Sequence, residues 1–323
     1  LSITGTNQDP SGVWTQLGLY SNDSQAANKG GSIGFGGQDG STAKQQFSAI
    51  KGAKENGTSG NYAGYLAFYT RPAGAVSAER LRINSSGDMG LGVTPESWKT
   101  GGDFRAVQVG SGVAVVGRGS GDEDRGGISV NHYHNTSDSA RYIANGHANY
   151  LYMNDGYYSF RTAASGSADG AISWTTPLKI DPSGRVIKSL TPHFNCNSSP
   201  TIGSSSDLYV ARSFGNVNAN VGSHYNNSNG RFTAPVAGTY LFGSGLWCNN
   251  GDDTSGQHLL VFRKNGSEAG FGANHRHEKN QLHATMCIVL AANDYITTGF
   301  ASGSGGSIQG STPRNYFWGY LVG

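Results

Sequence analysis

Two short histidine patterns are the most chemically suggestive residues in the chain, His132-Tyr133-His134 and His275-Arg276-His277. On an extended strand, residues i and i+2 project to one face, so each pair can aim two imidazoles at a common point. Three copies of such a pair around a threefold axis would offer six nitrogens, an octahedral set suited to a transition metal. The plain alternative is surface or cross-strand polar histidines, and the sequence does not say which way either pair faces. A second group is acidic: Asp252 and Asp253, beside Asn249, Asn250 and Thr254, have the oxygen ligands to hold a calcium ion. Asp122, Glu123 and Asp124 crowd a glycine-flanked loop. Glycoside cleavage needs two carboxylates at a fixed separation, which adjacent loop residues seldom give, so a solvated loop is expected. Gly243-Ser244-Gly245 lacks the following helix of a nucleophile elbow and reads as a Gly/Ser pleat. There is no P-loop, no dinucleotide fingerprint after a strand and no HExxH, so most enzyme classes lack a signature here. Tyr133, Tyr142, Tyr150, Tyr152, Tyr157 and Tyr158 could stack on sugar rings if exposed, but alternation predicts that Tyr150 and Tyr152 pack across strands.

The elements that must position these groups are strands. Residues 230–242 pair two short strands across a Pro-containing corner: Phe232, Val236, Tyr240 and Phe242 supply apolar bulk, Pro235 fits an edge or corner, and Gly238 lets the chain turn back. Further strands are expected at 257–264, 284–290, 295–300 and 315–322, with Asn265-Gly266 as a turn. Residues 43–54 are ambiguous, since Ala43, Phe47 and Ile50 have helical spacing while Phe47, Ala49 and Lys51 alternate. Gly52, Gly57 and the β-rich surroundings decide for strand.

Composition narrows the function classes. At 323 residues the chain is long enough for two or three domains, yet it is 36% hydrophobic with 50 glycines, so its aliphatic core is thin. Charged residues make up 14% and the net charge is +2, which gives no basic field and predicts no nucleic-acid partner. The apolar runs fall well short of the roughly 18 residues that span a bilayer, so a soluble chain without membrane insertion is expected. The chain begins at Leu1 with no leader, which suggests a piece of a longer polypeptide. Cys196, Cys248 and Cys287 are odd in number and widely spaced; buried free thiols are expected rather than a disulfide or metal site.

In the order GRFTAPVAGTYLF, VFRKNG, VLAANDYI and NYFWGYLVG, residues from about 195 to 323 resemble the globular head of the complement first component, subunit q, and the related tumour-necrosis-factor jelly roll. The resemblance implies a jelly-roll head, a tight trimer and a binding role, and it names no ligand. The N-terminal part carries a diluted internal repeat. Gly30-Gly31-Ser32-Ile33, residues 65–70 and residues 81–87 recur as Gly126-Gly127-Ile128-Ser129, residues 157–162 and residues 178–184, at offsets of 96, 92 and 97. Its first copy, in IKGAKENGTSGNYAGYLAFYT and ERLRINSSGDMGLGVTP, resembles phage tail-fibre shaft modules over about residues 25 to 98. The second copy departs from that pattern where Arg185-Val186-Ile187-Lys188 replaces Met89-Gly90-Leu91-Gly92, and where residues 121–125 are inserted.

The expected architecture is all-β: shaft modules at 1–100 and 101–190, a neck at 191–206, and a jelly-roll β-sandwich head at 207–323. A thin core favours a homotrimer in which chains wind about one axis and pair strand edges. The function expected from these resemblances is a phage tail-fibre receptor-binding protein on the virion. Its partners would be a host bacterial surface glycan or outer-membrane protein and, through the missing N-terminus, other tail proteins. The alternatives are a fibre-borne polysaccharide depolymerase and a secreted complement-type lectin. Hairpin loops of a jelly roll alternate between its ends, so residues 310–314, 291–293 and 249–256 are expected at the free tip, with 266–280 and 301–306 toward the shaft end or flank. Receptor contact is assigned to Asn249, Asn250, Asp252, Asp253, Thr254 and Arg314.

Overall fold

The computed structural model describes residues 17–40, 44–99, 104–119, 124–198, 210–211, 213–250, 257–276, 281–302, 306–308, 310 and 313–323. The chain divides into two compact units, Leu1–Ile187 and Lys188–Gly323. Every regular element among the described residues is a strand, and no helix is long and apolar enough to cross a membrane.

The first unit is a meander. It contains β1 (Ser32–Gln38), β2 (Lys44–Lys54), β3 (Gly64–Thr70), β4 (Ala78–Ile83), β5 (Met89–Leu91), β6 (Phe104–Val109), β7 (Val113–Arg118), β8 (Gly126–Val130), β9 (Tyr133–His134), β10 (Ala140–Arg141), β11 (Gly146–Asn154), β12 (Tyr157–Gly166), β13 (Thr175–Ile180) and β14 (Val186–Ile187). All but β9 and β10 form one sheet in chain order, while β9 and β10 make a separate two-stranded ribbon. Residues 44–54 are strand, as the glycines predict. Neighbours in this sheet pair antiparallel, except that β5 and β6 run parallel. The sheet is therefore built within one chain, with β1 and β14 at its edges.

The repeat is visible in the pairing: β1 to β5 correspond to β8, β11, β12, β13 and β14. It is visible again in one turn. Asn84 Oδ1 accepts from the Ser86 and Asp88 amides at 3.0 and 2.8 Å, and Asp181 Oδ1 accepts from the Ser183 and Arg185 amides at 2.9 and 2.9 Å. Both turns close on a glycine in the left-handed region, Gly87 and Gly184. An Asn or Asp that bonds its own backbone two residues on is what this turn requires. Asp88 then ties the end of the first copy to β6, because its buried Oδ1 accepts from the Ala106 amide at 3.1 Å.

One face of this sheet is covered. Alternation along β6 and β7 turns Phe104, Ala106, Ala114 and Val116 inward. The small residues leave room for rings that the loops and ribbon lay over them, chiefly Trp98, Tyr133 and Tyr150 with Trp174. The residues between them, among them Val107, Val109, Val113 and Val115, face the other way and are exposed.

The second unit has two sheets. Its strands are β15 (His193–Asn197), β16 (Val210–Ala211), β17 (Asn216–Val221), β18 (Tyr225–Asn226), β19 (Arg231–Thr233), β20 (Gly238–Asn250), β21 (Gln257–Lys264), β22 (Ser267–Arg276), β23 (Gln281–Leu290), β24 (Tyr295–Ser302), β25 (Gly306–Ile308) and β26 (Tyr316–Leu321). One sheet runs β17-β15-β26-β20-β23 with β25 on β20, and the other runs β18-β19-β24-β21-β22 with β16 on β24. Between them lies an aromatic core that includes Phe194, Phe232, Phe242, Phe262, Phe300 and Phe317. Each such ring contributes about 2–3 kcal/mol on full burial.

The expected corner is where the chain changes sheets: β19 ends in one, β20 begins in the other, and the Tyr240 hydroxyl donates back to the Val236 carbonyl at 2.8 Å. Val236 itself is exposed, because the corner turns its side chain outward.

Two further expectations need correction. Residues 193–197 are not neck: β15 sits between β17 and β26 in the head's sheet, with Phe194 and Cys196 buried. Of the thiols, Cys196 is buried and free, but Cys287 is exposed, since alternation along β23 puts it on the outer face. The Cys248 side chain lies outside the described residues.

Candidate functional site

Strand directions sort the loops of the second unit. Leu321 donates to the Pro192 carbonyl at 3.0 Å, so the last strand ends where the chain arrives. Tyr316 pairs with Gly245, and Trp247 with Gln281, which places the opposite ends of β26, β20 and β23 together. The strand ends that flank 251–256, 277–280 and 303–315, namely Asn250, Gln257, Arg276, Gln281, Ser302 and Tyr316, all lie at this far end. The connections at 265–266 and 291–294 lie at the near end, tied to each other by Asn265 Nδ2 donating to Asp294 Oδ1 at 2.7 Å. Loops do alternate, as expected, but two placements are corrected. Residues 291–293 belong to the near end. Of residues 301–306, Ser302 and Gly306 lie at the far end, opposite His258 and Asn250; and most of 266–280 is strand β22, not loop.

The far end contains Arg314. Its guanidinium lies 4.1 Å from the centre of the Trp247 ring, and its carbonyl accepts from Gln281 Nε2 at 2.5 Å. Next to it, buried Asn315 accepts from the Trp247 amide at 2.6 Å, which fixes the strand end. Asn249 and Asn250 close β20 opposite Ser307 and Gly306 of β25. Asp252, Asp253 and Thr254 lie outside the described residues, so the proposed calcium ligands have no described geometry. Trp247 was missed in the sequence reading; its signal is its alternation with Gly245 on the outward face of β20.

That outward face carries a ladder. Tyr316, Trp318 and Tyr320 alternate on β26, with Trp318 and Tyr320 stacked at 6.1 Å. Tyr316 and Trp318 lie over Gly245 and Gly243, where a Cβ would come within 2.5 and 2.2 Å of a ring. Ser244 between these glycines is buried, donates to the Tyr316 carbonyl at 3.0 Å and accepts from the Thr298 hydroxyl at 3.2 Å. It ties the two sheets together and is not presented as a nucleophile.

In the first unit the structure does bring His132 and His134 together, with ring centres 4.9 Å apart. Their setting is internal. His132 is fully buried against Tyr150 and Trp174, at 4.9 and 5.2 Å, and both of its ring nitrogens lack partners. Burial, with smaller contributions from His134 and Arg161, lowers its pKa to about 3, so it is neutral. His134 stacks on Phe104 at 4.6 Å, and its Nδ1 lies 3.2 Å from Asp138 Oδ1. A site shared among three chains needs nitrogens at the chain surface, and His132 does not present them there. His275 stands opposite His258 in the register of β21 and β22, while His277 lies outside the described residues. Among the described residues no three His, Cys, Asp or Glu converge as a metal site would need. Tyr150 and Tyr152 pack on each other at 5.0 Å on the covered face, not on the surface.

A polar cleft of about 340 Å³ in the first unit is lined by Glu55, Arg82, Asn84, Thr94, Glu96 and Thr136, among others. Both Glu55 oxygens accept from Ser85, at 2.7 and 2.6 Å. Burial raises the Glu96 pKa, with Asp169 adding to the shift. Asp122 and Glu123 lie outside the described residues.

Residues 198–322 match the C1q domain family. No curated protein matches the chain. Among solved structures, the chain is similar to the globular domain of zebrafish complement 1qA protein, at 18% identity over 41% of this chain and 98% of that one, with a TM-score of 0.32. It is also similar to murine APRIL, at 12% identity with coverage of 41% and 98% and a TM-score of 0.30. The second unit is a C1q/TNF-like jelly roll, on the family match and its own strand order. Domains of this fold commonly form homotrimers.

Proposed function

We propose that this chain is a homotrimeric adhesion protein, a phage tail-fibre receptor-binding protein, whose jelly-roll head contacts a receptor on a host bacterial surface. The observation that carries this reading is the gathering of three connections, 251–256, 277–280 and 303–315, at the end of the head away from the arriving chain. Loops held on a rigid sandwich are where binding residues concentrate, and Arg314 over Trp247 gives this end a charged and aromatic contact. The tail-fibre assignment adds the resemblance of residues 25 to 98 to shaft modules, and with it a place on the virion. The complement-type alternative shares the head and differs in biological setting; detecting the chain in purified virions separates the two.

The depolymerase alternative looks to the cleft holding Glu55 and Glu96. Hydrolysis needs two carboxylates poised across one bond, and Glu55 is held to Ser85 through both oxygens, which favours binding over cleavage. We therefore read the protein as a non-enzyme.

Adsorption of virions, or of purified protein, to host cells tests the proposal. Arg314→Ala and Asp252→Ala/Asp253→Ala are expected to reduce adsorption at least tenfold, while Ala292→Lys at the near end leaves it unchanged. Normal adsorption by the far-end variants together with loss in Ala292→Lys would put the receptor at the other end and overturn the reading.

A further inference from the structure

The uncovered face of the first unit is apolar in an ordered way. In the pairing register Met89, Val107, Val115, Ile128, Leu151 and Phe160 stand side by side across β5 to β12. The row continues through Ile83 and Leu66 on one side and Leu178 on the other. A second row, two residues further along each strand, joins Ile50, Phe68, Leu81, Leu91, Val109 and Val113, flanked by Ile33 and Val130. Neither row contains a charged residue. The most open members, from Val113 to Val115, are 37% to 51% exposed.

At a strand spacing near 4.8 Å the nine strands of the longer row span about 40 Å, and with its flanks the strip is roughly 15 to 20 Å wide, on the order of 700 Å². That exceeds the apolar patch a monomer ordinarily leaves to water, and it approaches one partner's share of a standard interface.

We propose that this strip is the seam along which further copies of the same chain pack, face against face. The inference rests on the homotrimer reading and gives it a location. An occupant must present an uncharged apolar strip of about the same length, and a second copy carries one. The chain's own residues 1–16 do not match it: Leu1, Ile3, Val13 and Trp14 are their only large apolar residues. Strand addition is not the mode either, because each strand inside the sheet already has both neighbours. The covered face shows what completes such a surface, since there Trp98, Tyr133 and Trp174 are laid over the strands.

The test uses the full chain with Cys287→Ser, to remove an exposed thiol, and single reporters Val115→Cys, Val109→Cys and Phe160→Cys. Lys188→Cys serves as an open control. Maleimide labelling is expected to be at least tenfold slower at the three reporters than at Lys188→Cys, in a species of trimer mass by light scattering. Adding Ile128→Glu should bring Val109→Cys up to the control rate, whereas Ile128→Thr, which keeps strand propensity, should have a smaller effect. A trimer mass with reporters that label as fast as the control would overturn the seam and leave the trimer reading intact. A monomer mass would overturn both. Reporters protected only when lipid vesicles are added, or only with residues 1–16 present, would name a different occupant and also reject the proposal.

Discussion

Acid should destabilise the first unit through His132. The imidazole is held near pKa 3 by burial, against 6.5 for the free group. A base that the fold keeps neutral contributes its full stability above the unfolded value, near pH 6.5. That contribution is lost as pH falls toward 3, because the unfolded chain takes up a proton that the folded chain refuses. One proton at about 1.4 kcal/mol per pH unit gives a loss of about 2 kcal/mol between pH 7 and pH 5, and about 3 kcal/mol by pH 4. For a unit of this size the first figure corresponds to a fall in Tm of about 4–8 °C. His134 is also shifted down by burial and adds to the same slope, so the wild-type curve alone does not isolate His132. His132→Phe does: it keeps a ring against Tyr150 and Trp174 and removes the two unpartnered nitrogens. Urea unfolding at fixed protein concentration, followed by tryptophan fluorescence, should show the stability of His132→Phe relative to wild type rising by about 2 kcal/mol from pH 7 to pH 5. A difference that stays flat over that range would refute the claim that burial keeps His132 neutral.

Asn131 is buried with a φ of 54°, and its side chain donates to the Ala144 and His147 carbonyls while accepting from the Ala144 amide. Asn131→Ala should cost about 3–4 kcal/mol, and Asn131→Gly should recover about 1 kcal/mol of that because only the backbone strain is relieved; chemical denaturation of both variants checks the order. Gly243→Ala places a Cβ against the Trp318 ring, so it should cost about 1–3 kcal/mol and red-shift the Trp318 emission. An unchanged spectrum would mean that the ladder does not rest on that glycine.

Local patterns were legible in the sequence. The repeat was found from spacing alone, and Asn84 and Asp181 turn out to make the same turn by the same bonds. The corner at 230–242 was readable because Pro235 fixes its own φ whatever surrounds it and Gly238 leaves room for the turn back. What was missed depends on partners distant in sequence. β15 alternates Phe194 and Cys196 inward over only five residues, too short a signal to read alone, and it takes its register from β26, more than a hundred residues on. The His132 pair obeys the expected i, i+2 geometry, but the lid formed by Trp98 and Trp174 decides which way it faces. The loop placements failed at 301–306 because a three-residue strand, β25, was not seen as a pause within one long connection.

The parallel join of β5 to β6 offsets the two copies of the repeat. Met89 meets Val107 and Leu91 meets Val109 across it. From there the register carries the row of Leu66, Ile83 and Met89 into Phe160 and Leu178, although the spacing of the repeat matches Leu66 with Tyr158 and Ile83 with Ile180. Equivalent positions of the two copies therefore fall in neighbouring rows of one sheet. A substitution and its counterpart in the other copy act on different lines of side chains, so the copies are free to diverge in sequence without breaking the same row twice.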